Sequence, residues 1–290
     1  MKFDTEPKNK LEKLFRRIRS LEGWRFRKAV SNADTVLLFI GYPRSGHTLI
    51  GSMLDAHPDM VIAHELDALY YFQEGFSINQ IFYLIHQNSV SFTRGGRQNE
   101  GYSYTIPNQW QGKFRDLKVF GDKCGGRTSH RMKLQGNTDL IHQTNAQLGN
   151  KLKLLHVIRN PYDNVSTMMR RTVERKGAKL GEPVLRRQMR FYFDRCQVIQ
   201  EIKDDGRIPV LDIHLSEFMA NPIPGLKRIF DFLEMEAPEA YFQDCASIVW
   251  DNPNRSRDKY PQIWTPEMIH LVEEKMAPYE FLTPYSFQSA

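Results

Sequence analysis

The chain has 290 residues, enough to bury a sizeable core in one domain or two, with 40 Lys and Arg against 34 Asp and Glu. A formal charge of +6 suits an anionic ligand or partner but is too small to name nucleic acid. Three cysteines (Cys124, Cys196, Cys245) in no metal-binding spacing argue against a disulfide framework and for reduced thiols.

The N-terminal MKFDTEPKNK is polar and lacks the apolar stretch of a signal peptide. No window approaches the about 18 apolar residues of a membrane span, so a soluble protein is expected. Over residues 10 to 22, Leu11, Leu14, Phe15, Ile18 and Leu21 fall on one helical face, with Lys10, Lys13, Arg16, Arg17 and Arg19 around it. Such a basic amphipathic helix either lies on an anionic membrane surface or docks on the domain with its charges in water. Residues 1–30 are therefore read as this helix and a lead-in, and 31–290 as one domain.

Four short apolar runs, Val36–Ile40, Leu117–Phe120, Leu152–Ile158 and Ile208–Ile213, read as strands, and Val61–His64 as a short fifth. Each precedes a turn or helical pattern, which predicts an α/β fold with a mainly parallel sheet flanked by helices. Residues 66 to 116 differ: aromatics are frequent, and TRGGRQNEG (93–101) reads as loop. This insertion could wall an acceptor pocket or simply hold an aromatic core. Helices are predicted over Leu185–Ile202, Pro222–Leu233 and Pro266–Met276, the last with Thr265 as N-cap and Pro266 at its first position.

Three segments carry chemistry. In GYPRSGHT (41–48), Gly41 and Gly46 permit close turns, the Ser45–Thr48 amides lie near a helix start, and Arg44 adds donors; together these make an anion cradle. It is not an ATP-type P-loop, because His47 stands where the lysine belongs. In VIRNPYDNVST (157–167), Arg159 emerges at the C-terminal edge of a strand, where parallel sheets bind ligands, with Ser166 and Thr167 about two turns into the next helix. The third is NPNRSRDKY (252–260), a basic, turn-rich segment with Arg255, Arg257 and Lys259.

With these in order, the chain resembles the sulfotransferases that use 3′-phosphoadenosine 5′-phosphosulfate (PAPS). YPRSGHTLIGSMLDAHPD is similar to the family's 5′-phosphosulfate loop and VIRNPYDNVST to its 3′-phosphate motif. VLDIHLSEFMANP with the helix ending FDFLEM, and RSRDKYPQIWTPEMI, resemble its later landmarks. The phrasing is closest to the protein-tyrosine and carbohydrate branches. The resemblance implies a P-loop-type sheet and transfer of a sulfuryl group from PAPS to an acceptor hydroxyl, leaving 3′-phosphoadenosine 5′-phosphate. By it, Arg44 contacts the 5′-phosphosulfate, helped by Ser45, Gly46, His47 and Thr48. Arg159 and Thr167 or Ser166 bind the 3′-phosphate, and Arg255 and Arg257 are further ligands. Lys123 of VFGDKCGG joins Arg44 as a catalytic cation; without the family it reads as a surface lysine at a turn.

For the general base the resemblance favours Glu65, with His64 a rival whose ordinary pKa suits base work, and Asp122 a third, better cast as structural. Glu65 would need burial to raise its pKa, or coupling to the transition state. Two departures stand out. His47 replaces a usual hydroxyl residue, and Asp212 and His214 stand at a usual tyrosine and acid. No metal is expected, since the histidines form no compact ligand set. The lack of an anchor points to a cytoplasmic enzyme acting on a small molecule, glycan or peptide, with no nucleic-acid partner. Rival readings are a P-loop kinase or other ATP-dependent phosphotransferase, and a non-catalytic polyanion-binding protein.

Overall fold

A computed structural model describes residues 7–134, 138–250 and 255–289. Its centre is a parallel sheet of five strands, β1 (Thr35–Gly41), β2 (Met60–Ala63), β5 (Val119–Asp122), β6 (Leu152–Ile158) and β7 (Val210–His214), in the order β2-β5-β1-β6-β7. The pairs β1–β5, β1–β6, β2–β5 and β6–β7 are all parallel. The expected α/β architecture is thus present. Two strands begin later than their apolar runs, β7 directly after Pro209, which has no N–H to donate to a ladder.

Alternation along β1 sends its side chains to both faces. Val36, Leu38 and Ile40 join one buried cluster, with Leu154, Val165 and Met189; Leu37 and Phe39 join the other, with Ile50, Leu155 and Ile229. Helices α3 (His47–Leu54) and α11 (Pro222–Leu233) contribute to the second cluster, and α8 (Pro161–Lys176) and α9 (Glu182–Asp205) to the first. Four shorter helices, α6 (Gly125–Leu134), α7 (Asp139–Gln147), α10 (Leu215–Ala220) and α12 (Glu239–Ala246), complete the layers with α13 (Pro266–Met276). The helix starts follow local chemistry. Asn160 accepts from the Tyr162 amide with Pro161 at the first position, and Thr265 accepts from Met268 ahead of Pro266.

The 66–116 insertion is helical, with α4 (Ala68–Gln73) and α5 (Ile78–Arg94), the latter opened by a Ser77–Gln80 capping box. Phe82 is buried there among Phe26, Phe114 and Phe120, so much of the aromatic content is core. A two-stranded hairpin, β3 (Gln98–Asn99) and β4 (Tyr102–Ser103), follows. It is held by Arg97, which is buried and pairs with Asp55 at 2.8 Å; Asp55 also accepts from Ser89 and from the Ile62 amide.

The N-terminal helix α1 (Lys10–Ser20) leads through a 3-10 turn (Leu21–Phe26) into α2 (Arg27–Asn32). Its orientation departs from the docked arrangement entertained above: Arg16 and Ser20 are buried, while Leu11, Leu14, Phe15 and Ile18 face outward. Among the described residues no helix is long and apolar enough to cross a membrane.

Candidate active site

The strands deliver the site one residue at a time. Just beyond their C-terminal ends lie Glu65 after β2, Lys123 after β5, Arg44 after β1, Arg159 after β6, and Leu215 and Ser216 after β7. All six line a cleft of about 720 Å³, in the crevice where parallel sheets place ligands.

The loop after β1 turns on two left-handed residues, Arg44 (φ 74) and Gly46 (φ 89). A side chain at Gly46 would also meet Leu215 at 2.5 Å, so only glycine serves here. Ser45 is buried and accepts from Asn164 Nδ2 at 2.7 Å, which fixes the loop against α8. Gly46 and the first residues of α3, His47, Thr48 and Leu49, line the cleft. The His47 ring is buried beside Phe39 and Gly125; burial, then Lys123, lower its pKa to about 3. It is therefore neutral at ordinary pH.

Lys123 is buried, not a surface lysine. Its Nζ donates to Thr48 Oγ1 at 2.8 Å and to Glu65 Oε1 at 3.1 Å. Gly51 on α3 makes room for it, since a Cβ there would sit 2.9 Å from that of Lys123. Glu65 itself occupies a left-handed turn (φ 59) pinned on both sides. Asn88 accepts from the His64 amide, and Asp122 accepts from Leu66 and Ala68 at 3.1 and 2.8 Å. Lys123 pulls the Glu65 carboxyl down to about 2 against the opposing effect of burial. The burial-driven rise that base work would favour is thus outweighed.

Asp122 is buried and spends both oxygens on backbone amides, and burial raises its pKa to about 7. His64 stacks on Phe92 at 3.8 Å, away from the cleft wall, and burial, then Lys123, lower its pKa to about 3.

At the β6 end, Arg159 donates to the Arg44 carbonyl, to Thr167 Oγ1 (both 3.2 Å) and to Ser256 Oγ (3.1 Å). Thr167 lines the cleft; Ser166 instead turns into the core and accepts from the Trp264 indole at 2.9 Å. Arg257 is buried and pairs with Asp163 at 2.6 Å, and Arg255 pairs outside the cleft with Asp258 at 2.9 Å. Of the basic C-terminal segment only Ser256, Lys259 and Tyr260 reach the cleft; residues 252–254 lie outside the described residues.

Several residues were not singled out from sequence. Asp163, Arg171 and Arg175 share one face of α8 with Thr167 at a spacing of four, a signal present in the sequence. Glu100, on the hairpin, pairs with Arg44, Arg171 and Arg175 and places a carboxylate inside the anion cradle. Beside it, Tyr102 and Tyr104 pack on Trp250 at 4.4 and 5.8 Å. In all, seven arginines and two lysines on the described cleft wall face three carboxylates.

Comparison with solved structures finds the same fold in the sulfotransferase domain from the curacin biosynthetic pathway. That match has TM-score 0.51 and 15% identity, over 86% of this chain and 98% of that one. Sulfotransferase STF1 from Mycobacterium tuberculosis H37Rv matches with TM-score 0.51 and 12% identity, over 93% and 86%. The chain therefore has a sulfotransferase-like fold. No family model and no curated protein matches the sequence.

Proposed function

We propose that this protein transfers a sulfuryl group from PAPS to the hydroxyl of an acceptor. The observation that carries the reading is the pair of cation stations on neighbouring strand ends, Arg44 with Lys123 and Arg159 with Thr167 and Ser256. They suit a donor with anionic groups at both the 3′ and 5′ positions of its ribose. The buried Nε of Arg44 has no hydrogen-bond partner, which fits a cradle built for an anion.

In this reading Arg159, Thr167 and Ser256 hold the 3′-phosphate, while Arg44, the α3 amides and Thr48 hold the 5′-phosphosulfate. Glu65, ionised at neutral pH, accepts the acceptor's hydroxyl proton. The acceptor oxygen bonds to sulfur as the sulfur–oxygen bond to the donor's phosphate breaks, and Lys123 and Arg44 offset charge on the departing oxygen. Lys123 touches both Glu65 and Thr48, so it links the base to the donor cradle. Leu215 and Trp250 offer apolar surface for the adenine. The surplus of arginine on the wall favours an acceptor alcohol, glycan or peptide that itself bears an acid group.

The test is calorimetric titration with 3′-phosphoadenosine 5′-phosphate beside ATP and ADP. Micromolar binding that needs the 3′-phosphate, and weakens at least tenfold in Arg159→Ala, is expected. Preference for magnesium-ATP would overturn the assignment.

A further inference from the structure

Leu11, Leu14, Phe15 and Ile18 of α1, with Leu21 and Trp24 of the following turn, are each 47 to 76% exposed. They are six of the ten large exposed hydrophobics among the described residues, gathered within 14 positions. Scattered apolar residues need no explanation; a contiguous row does. The row follows the helical repeat, and in a globular protein such a stripe normally faces the core.

Here the opposite face is the docked one. Arg16 is buried against Tyr71 and Glu12, and Lys13 pairs with Glu74. Gln80 donates to the Arg17 carbonyl and to Ser20 Oγ, both at 3.1 Å. The Gly23 backbone packs so closely on α5 that a Cβ would lie 2.2 Å from the Asn79 carbonyl oxygen. Rolling the helix to hide its apolar row would strand Arg16, so the outward orientation is specified by its contacts.

Around the row stand exposed Lys10, Arg25, Arg27 and Lys28, and Glu22 is the one exposed acid between residues 10 and 28. A second copy of the chain placed on this face would bring the same basic set against itself. An anionic bilayer takes up the apolar row and the basic flanks together. We infer that α1 and its following turn form an interfacial anchor that seats the protein on an anionic phospholipid surface. None of these residues lines the cleft, and the inference is independent of the chemistry proposed there.

The experiment is co-sedimentation of the full chain with vesicles of phosphatidylcholine containing about 30% phosphatidylserine, and with phosphatidylcholine alone. Binding to the mixed vesicles at least tenfold stronger than to the neutral ones, and weakened by salt, is expected. Leu14→Glu with Ile18→Glu, at exposed positions, should lower it at least tenfold while the circular dichroism spectrum stays unchanged. Reversing Lys10, Arg25, Arg27 and Lys28 to Glu should remove the preference for phosphatidylserine. A wild-type chain that stays in the supernatant, or a Leu14→Glu/Ile18→Glu variant that binds as well, overturns the inference. So does a lipid-free dimer in sedimentation velocity that Ile18→Glu dissociates, which would give this face to a second copy.

Discussion

Lys123 and Glu65 are coupled strongly enough that removing one should be legible in the stability of the whole chain. Lys123→Met keeps the buried stem beside Gly51 and removes the ammonium from Thr48 and Glu65. In the native protein the Glu65 carboxyl falls from an ordinary 4.5 to about 2, with Lys123 the largest cause. Such a fall corresponds to ~3 kcal/mol. The Glu65 side chain is 52% exposed to the cleft, so solvent screening reduces this to ~1–2 kcal/mol. The sign follows from linkage. A carboxyl held low in the folded state adds stability that is fully present above pH 4.5 and is lost as the pH falls toward about 2.

Urea unfolding of wild type and variant between about pH 7 and pH 3 reads this directly. The wild type should be more stable by ~1–2 kcal/mol at pH 7, and the gap should narrow below pH 4.5 as the unfolded carboxyl protonates. A gap that is absent, or identical at both ends of the range, would refute the electrostatic coupling between Lys123 and Glu65.

Four further outcomes follow from the same geometry and the proposed reaction. Glu65→Gln should lower kcat by ~10²–10⁴ while calorimetry shows the donor product binding within about twofold of wild type. His64→Asn should leave kcat within about threefold, since that ring packs on Phe92; the reverse pattern would move the base to His64. Glu100→Gln should tighten binding of 3′-phosphoadenosine 5′-phosphate about tenfold by releasing Arg44 and Arg171; unchanged or weaker binding would show that Glu100 does not compete with the ligand. Arg97→Met should destabilise the fold by ~3–5 kcal/mol in urea titration, because Asp55 is left buried and unpaired, and a loss under ~1 kcal/mol would reject that role for the pair.

The parallel sheet was readable because strands buried on both faces are written as continuous apolar runs, and Leu152–Ile158 matches its run at both ends. Residues close to strand ends were readable for a related reason. Once Val36–Ile40 and Leu152–Ile158 are strands, Arg44 and Arg159 must lie at the same edge of the sheet. Glu100 and Arg171 were not, because their meeting depends on a hairpin folding back over α8 across 71 positions of sequence. Local pattern carries no information about that return. The orientation of α1 escaped for another reason: amphipathic periodicity defines two faces but does not say which is docked, and here a buried Arg16 decides it.

The basic C-terminal segment shows most clearly where reading by composition stops. Arg255, Ser256 and Arg257 are consecutive, and a composition argument weights the two arginines. The segment enters a 3-10 turn, Ser256–Lys259, in which successive side chains point about 120° apart. Three neighbours therefore cannot all face one cleft. Arg255 turns outward to Asp258, Arg257 turns inward to Asp163, and Ser256 is left to meet Arg159 and Thr167. Asp163 also lies on the same face of α8 as Thr167, so the buried Arg257–Asp163 pair ties the turn to the helix that carries the Thr167 hydroxyl. On this geometry Arg257 positions Ser256 and Thr167, and its own charge is already offset before any ligand arrives.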